Sequence, residues 1–276
     1  MTDQFLFLAP PIVACIVLSG ILSYFGNHIL SRGLIFIDIA VAQIAALGTM
    51  IGILFGFAEE SANTQIISYV FTIFILSVFS LMRNKTQLLP QEAIIGIIYC
   101  IALGAALFLV EKIPGGSAYI TKTITGNLLW ITWKNIFYCV ILFLPVILIH
   151  IVFGKRFREV SLKLNSCNTK ISTLRLYDML FYITFGIVIV KAVPVLGIFL
   201  VFMLLIAPAS IAIFFTDNWT SRIIWSWVIG IVGSVAGIYL SYSMNISNAP
   251  AIVGLLGFAA FTVAFFKLIK KQARKI

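Results

Sequence analysis

The chain has 276 residues, of which 62% are hydrophobic and only 10% charged, and its mean hydropathy is +1.12. Soluble domains carry about 25% charged residues, so a water-soluble globular protein is excluded and an integral membrane protein remains. In such a chain a net charge of +10 belongs to cytoplasmic loops, not to a nucleic-acid surface.

Apolar runs of about 20 residues, the length that spans about 30 Å of hydrocarbon as helix, recur along the whole chain. They predict helices over 5–25, 34–57, 65–82, 93–110, 133–153, 177–193, 195–215, 223–243 and 251–268. The first run follows Met1-Thr-Asp-Gln, with no basic leader, and reads as a span, not a cleaved signal. The sixth and seventh runs are joined only by Val193-Pro194-Val195-Leu196-Gly197. They form two spans, or one span and a half-helix, giving nine or eight crossings. Pro208 is expected to break the seventh near its end. The fold class is all-α: a polytopic membrane bundle of 8–9 transmembrane helices, forming one transmembrane domain over 1–276.

Basic residues orient the bundle. Arg32, then Arg83 and Lys85, then Lys155 through Arg175, then Arg222, then the tail from Lys267 to Lys275 hold 15 of the 19 Lys and Arg on one set of loops. Those loops are the cytoplasmic ones, which puts the C-terminus inside. Two connections are long. Residues 111–132 open with a helix-breaking Pro114-Gly-Gly and continue into a Thr/Gly/Asn/Trp mixture suited to an interfacial or re-entrant segment. Residues 154–176 are basic with spaced apolar positions, the pattern of a short amphipathic helix on the membrane or on a partner, or of a plain basic anchor.

Asp38 is the most informative residue. It lies in Gly33-Leu-Ile-Phe-Ile-Asp38-Ile-Ala-Val-Ala-Gln43-Ile-Ala-Ala-Leu-Gly48, where a charge at mid-membrane costs about 2.5–3.5 kcal/mol. Such residues serve ion or proton paths, or pack helices. Positions 38, 42, 45 and 49 share a face on which Ala42, Ala45 and Thr49 leave room for a neighbouring helix. Gln43 is turned about 140° away. Lys191 is expected to snorkel. Gly230, Gly233 and Gly237, with Gly254 and Gly257, predict close helix contact. His28 and His150 read as polar residues near membrane ends. Cys15, Cys100, Cys139 and Cys167 have no CxxC spacing, and three of them lie in apolar runs as small hydrophobes. No Walker motif, Gly-x-Ser-x-Gly or His-Glu-x-x-His occurs, so the chain reads as no enzyme, and any ATP is bound by another chain.

The order of four stretches resembles the membrane permeases of the bacterial ABC importers for zinc, manganese and iron. Phe36-Ile-Asp38-Ile-Ala-Val-Ala-Gln-Ile-Ala-Ala-Leu-Gly48 is similar to the family's Gly-Asp-Ala-Leu-Ser-His segment. Gln91-Glu92-Ala93-Ile-Ile-Gly96 resembles its Glu/Asp-Ala-x-Ile-Gly run, and Thr125-Gly-Asn127-Leu-Leu its Phe-Gly-Asn-Ile-Leu. Val195-Leu-Gly197 through Pro208-Ala, with Leu240-Ser-Tyr-Ser-Met-Asn after it, resembles Val-Gly-x-Leu-Leu-Val … Thr-Pro-Ala and Leu-Ser-Tyr-Tyr-Leu-Asp-Leu-Pro. The likeness runs from about 10 to 268. Two departures stand out. The family histidine four residues after the aspartate is Ala42 here. The cytoplasmic Phe-Asp-Pro-Glu segment corresponds to Leu162-Lys-Leu-Asn165, without its acid or proline.

The resemblance implies a homodimeric permease of a bacterial plasma membrane. It would work with cytoplasmic ABC ATPases and an external metal-binding protein, without a resident cofactor. Asp38 would lie on the metal path, and Arg158, Leu162, Leu164 and Lys170 would meet the ATPase. Two other readings of the residues stand beside it: a proton-coupled secondary carrier with Asp38 as relay, and an assembly subunit without a path.

Overall fold

A computed structural model of the chain describes residues 2–81, 90–162 and 171–273. Among them are ten α-helices, one 3-10 turn and no strand: α1 (Thr2–Arg32), α2 (Ile37–Leu54), α3 (Ala62–Leu81), α4 (Gln91–Val110), α5 (Gly116–Thr125), the turn Leu128–Trp130, α6 (Trp133–Leu162), α7 (Ile171–Leu196), α8 (Ile198–Ile213), α9 (Trp219–Met244) and α10 (Asn248–Ala273). Each of the nine expected segments carries a helix among the described residues. Helix is the form in which an apolar segment satisfies its own backbone in lipid. Eight helices are long and apolar enough to cross a bilayer, while α8, with 16 residues, falls short.

The structure sets where the helices break. Neither Pro194 nor Pro208 breaks a helix; α7 runs through the first and α8 through the second. Proline is tolerated in membrane helices because neighbouring groups take up the freed carbonyl. The break between α7 and α8 is the single residue Gly197, at φ +80. The stretch 111–132 holds α5 and the 3-10 turn. No separate amphipathic helix occupies the described part of 154–176, where residues 154–162 prolong α6 and 171–176 open α7.

The chain forms two compact units. One comprises residues 1–30, 125–140 and 195–276. Here α8, α9 and α10 pack on one another. A Cβ on Gly237 would lie 2.6 Å from Ile252 Cγ1, and one on Gly233 2.3 Å from Leu256 Cδ2, so these glycines do bring α9 and α10 together; Gly230 instead faces Ser19 of α1, and Gly254 faces open space. Asn27 Nδ2 donates to Ser226 Oγ at 3.0 Å, and Trp227 Nε1 to the Ile16 carbonyl at 3.0 Å. Asn218 caps α9 through the N–H groups of Thr220 and Ser221, and Asn245 ends it in the left-handed region.

The break at Gly197 is braced within this unit. Asn127 N–H donates to the Val195 carbonyl at 3.0 Å. Gly126, at φ +73, lies so close that an added Cβ would be 2.2 Å from Leu196 C. Two of the motif stretches, Thr125-Gly-Asn127 and Val195-Leu-Gly197, therefore meet. Gly126→Ala is expected to cost about 2–3 kcal/mol through positive φ and displaced backbone, read as a lower thermal midpoint of the purified protein in detergent.

The other unit comprises residues 31–124 and 141–194. Its α2 packs on both α3 and α4. Ile44, Leu47 and Met50 meet Ala102 and Ala106 of α4 in one apolar cluster. Against α3 the approach is closer: a Cβ on Gly48 would lie 2.8 Å from Ser68 Cα, and one on Gly52 2.9 Å from Thr64 Cγ2. Ser68 Oγ donates to the Ala45 carbonyl at 2.8 Å. Small residues admit the backbone of the neighbour, and the hydroxyl joins the two helices. Tyr119 of α5 donates to the Ala46 carbonyl at 3.4 Å, and burial pushes its phenol above the ordinary tyrosine value.

Candidate functional site

Asp38 sits in the first turn of α2, next to Ile37. It is 1% exposed, and neither carboxylate oxygen makes a hydrogen bond of ordinary geometry with a described residue. Only the N–H groups of Asp38 and Ile39, in its own turn, approach it. The partial positive charge of a helix N-terminus favours a carboxylate there by about 0.3–1 kcal/mol, more when partly buried. That offsets part of the cost of burial and leaves the acceptor capacity of the carboxylate unused.

The face that carries Asp38 is buried at Ala42 and Ala45 and half-buried at Thr49. Thr49 Oγ1 donates to the Ala45 carbonyl at 3.2 Å. Ala42 is 1% exposed, so restoring the family histidine would overpack the site by about 1–3 kcal/mol. No group of three or more His, Cys, Asp or Glu side chains gathers among the described residues.

The turn before α2 is well tied. Ile37 N–H donates to the Leu34 carbonyl and Ala40 N–H to the Phe36 carbonyl, each at 3.3 Å. Ile35 N–H donates to Glu92 Oε1 at 3.2 Å, which gives the acid of the Gln91-Glu92-Ala93 stretch a role at the N-terminus of α4.

Two further charges are buried, Arg32, expected in a cytoplasmic loop, and Asp178, within the expected helix 177–193. Arg32 is a buried residue of the last turn of α1, not an exposed loop charge. Its Nη1 meets Asp178 Oδ1 at 2.8 Å with both side chains fully shielded. Its Nε donates to Ser161 Oγ at 2.9 Å, and its Cζ lies 3.8 Å from the centre of the Phe181 ring. The guanidinium thus joins α1, α6 and α7. Sequence reasoning missed Asp178. The signal was available: it is an acid flanked by Leu176, Tyr177, Met179 and Leu180, the same anomaly that marked Asp38.

Both histidines are buried within the protein. His28 is buried against Tyr24 and Trp219, with ring centres at 4.8 Å from each. His150 is buried in α6, with Nε2 2.8 Å from Thr184 Oγ1 and its ring stacked 4.4 Å from Phe157. Lys191 is half-buried near the end of α7. Cys15 and Cys139 are buried and Cys100 is exposed. Of the residues expected to meet an ATPase, Arg158 and Leu162 are exposed at the C-terminal end of α6, Leu162 by 56%. Leu164 and Lys170 lie outside the described residues.

Bilayer-length helices, a helix interrupted at Gly197 and a buried carboxylate with open acceptor capacity define a multi-pass membrane protein of the transport class. The family model described as the ABC 3 transport family matches residues 4–267, and the chain belongs to that family. A probable metal transport system membrane protein of Chlamydia muridarum is 25% identical over 169 residues, 61% of this chain and 58% of that protein; the chain thus spans little more than half of that relative. The manganese transport system membrane protein MntC of Listeria innocua is 24% identical over 95% of this chain and 91% of its own length. Among solved structures, PsaBC from Streptococcus pneumoniae in complex with Fab superposes with a TM-score of 0.76 at 20% identity, covering 95% of each chain, a likeness of fold.

Proposed function

We propose that the chain is the permease subunit of an ATP-driven importer for a divalent metal ion, acting as a homodimer with cytoplasmic ATPases and an external binding protein. Residues 1–276 form its transmembrane domain in a bacterial plasma membrane, with the C-terminus in the cytoplasm. Family membership and the metal and manganese transport named for its relatives support the class of cargo. The observation that carries the reading to a residue is Asp38: buried at the start of a membrane helix, with both oxygens able to accept.

A single carboxylate per subunit suits passage better than retention, since a fully furnished site would hold its ion. The remaining ligands would be water, backbone carbonyls or the Asp38 of a second copy. Without the family imidazole the donors are oxygens, a set that favours manganese over zinc among the three candidate metals. ATP-driven closure at the docking segments would switch the face to which the path opens.

The test is reconstitution in vesicles with a cytoplasmic ABC ATPase and an external metal-binding protein. Manganese uptake should require ATP and exceed zinc uptake. Uptake driven by a proton gradient without ATP would replace this reading with a secondary carrier. Docking is tested separately. Leu162→Asp with Leu164→Asp should reduce ATPase co-purification by about tenfold or more, the loss of one or two apolar anchors in a partner groove. An intact complex would move the docking surface to another cytoplasmic loop.

A further inference from the structure

Replacing a buried ion pair by apolar side chains of similar volume is often neutral or stabilising. Arg32 and Asp178 are shielded completely and set among Phe181 and Tyr182, where apolar substitutes would pack well. Stability alone therefore does not account for the pair. What it supplies is direction, because a guanidinium is a rigid fork that fixes the relative position of the groups it bonds.

The fork reaches two helices. Nε holds Ser161, the neighbour of the exposed Leu162 at the end of α6, and Nη1 holds Asp178 near the start of α7. These are the two described helix ends that flank the proposed docking segment. On its other side, Arg32 is separated from α2 by residues 33–36 alone. That turn is not slack, being closed by the Ile37–Leu34 and Ala40–Phe36 bonds and held to α4 through Glu92. Arg32 thus lies one glycine away from a turn whose other residues are bonded to the start of α2 and to α4.

We propose that Arg32 and Asp178 are positioning residues that tie the ATPase-facing ends of α6 and α7 to the start of α2, so that movement at the docking end reaches Asp38. The link rests on the reading of Leu162 as part of the docking surface and of Asp38 as part of the ion path. Its work is done through Asp38; neither Arg32 nor Asp178 touches the ion.

The test uses the full permease–ATPase complex in vesicles, with the native cysteines replaced and a spin label at position 36 through Phe36→Cys, a site 55% exposed. In the otherwise native complex, the label spectrum should change between the nucleotide-free and vanadate-trapped states. In Arg32→Met with Asp178→Leu, the ATPase should stay bound and hydrolyse ATP, but the spectral change should vanish. Manganese taken up per ATP should fall about tenfold, the size of an ordinary coupling between sites. A label response in that variant equal to the native one, or no response in the native complex, overturns the link.

Should the apolar pair fail to fold, Arg32→Lys decides. A single ammonium keeps the charge but loses the fork, so the label response should weaken and the uptake per ATP should drop. A native response with a native ratio overturns the proposal. The two readings separate cleanly. If the label responds through the ion pair while Asp38→Asn transports normally, the ion-path assignment falls and the mechanical link stands.

Discussion

Asp38→Asn is expected to reduce manganese uptake by about 100-fold or more, the scale on which losing one side of a buried charge contact is felt, with expression and thermal midpoint at or above the native values. The amide keeps the size of the side chain and removes the charge that a divalent cation needs. It also removes a buried carboxyl group that makes no hydrogen bond of ordinary geometry with the described residues, so a residue serving packing alone would tolerate the change or gain from it. Uptake should be measured in vesicles with the binding protein present, alongside metal-stimulated ATP hydrolysis. Native uptake would return Asp38 to helix packing and leave the metal path without a named residue.

Removing one partner of the ion pair should have the largest effect on stability. Asp178→Ala leaves the Arg32 guanidinium inside the protein without its counter-charge, at a cost of about 3–5 kcal/mol. Arg32→Ala has the mirror effect and also strips the contact with Phe181. The apolar pair, Arg32→Met with Asp178→Leu, should recover most of the loss. The measurement is thermal unfolding in detergent for both single variants and the pair, combined as a double-mutant cycle. If each single change costs under about 1 kcal/mol, as exposed pairs do, the shielding of these two side chains is overturned.

The sequence by itself determined the class and the nine long apolar segments. An apolar segment about 20 residues long has one economical backbone solution in lipid, and the described residues repeat it eight times with a ninth, shorter copy. It also singled out Asp38, since an acid in such a segment is costly wherever it lies. The four motif stretches could be read in order, and with them the family.

Only the tertiary structure decided depth and partnership. The depth of Asp38, open in the sequence, is settled at the first turn of α2 because Gly33 ends α1 at Arg32 and residues 33–36 form a turn; hydropathy does not register a turn made of apolar residues. Pro194 and Pro208 lie within helices, while the break falls at Gly197, where the Gly126 backbone packs against the chain. A local rule about proline has no access to that neighbour. Arg32 counts as a loop charge in any tally along the chain. Its counter-charge lies 146 positions away at Asp178, and only the meeting of Arg32 with Ser161 and Asp178 turns a residue counted as a loop charge into one that is buried within the protein.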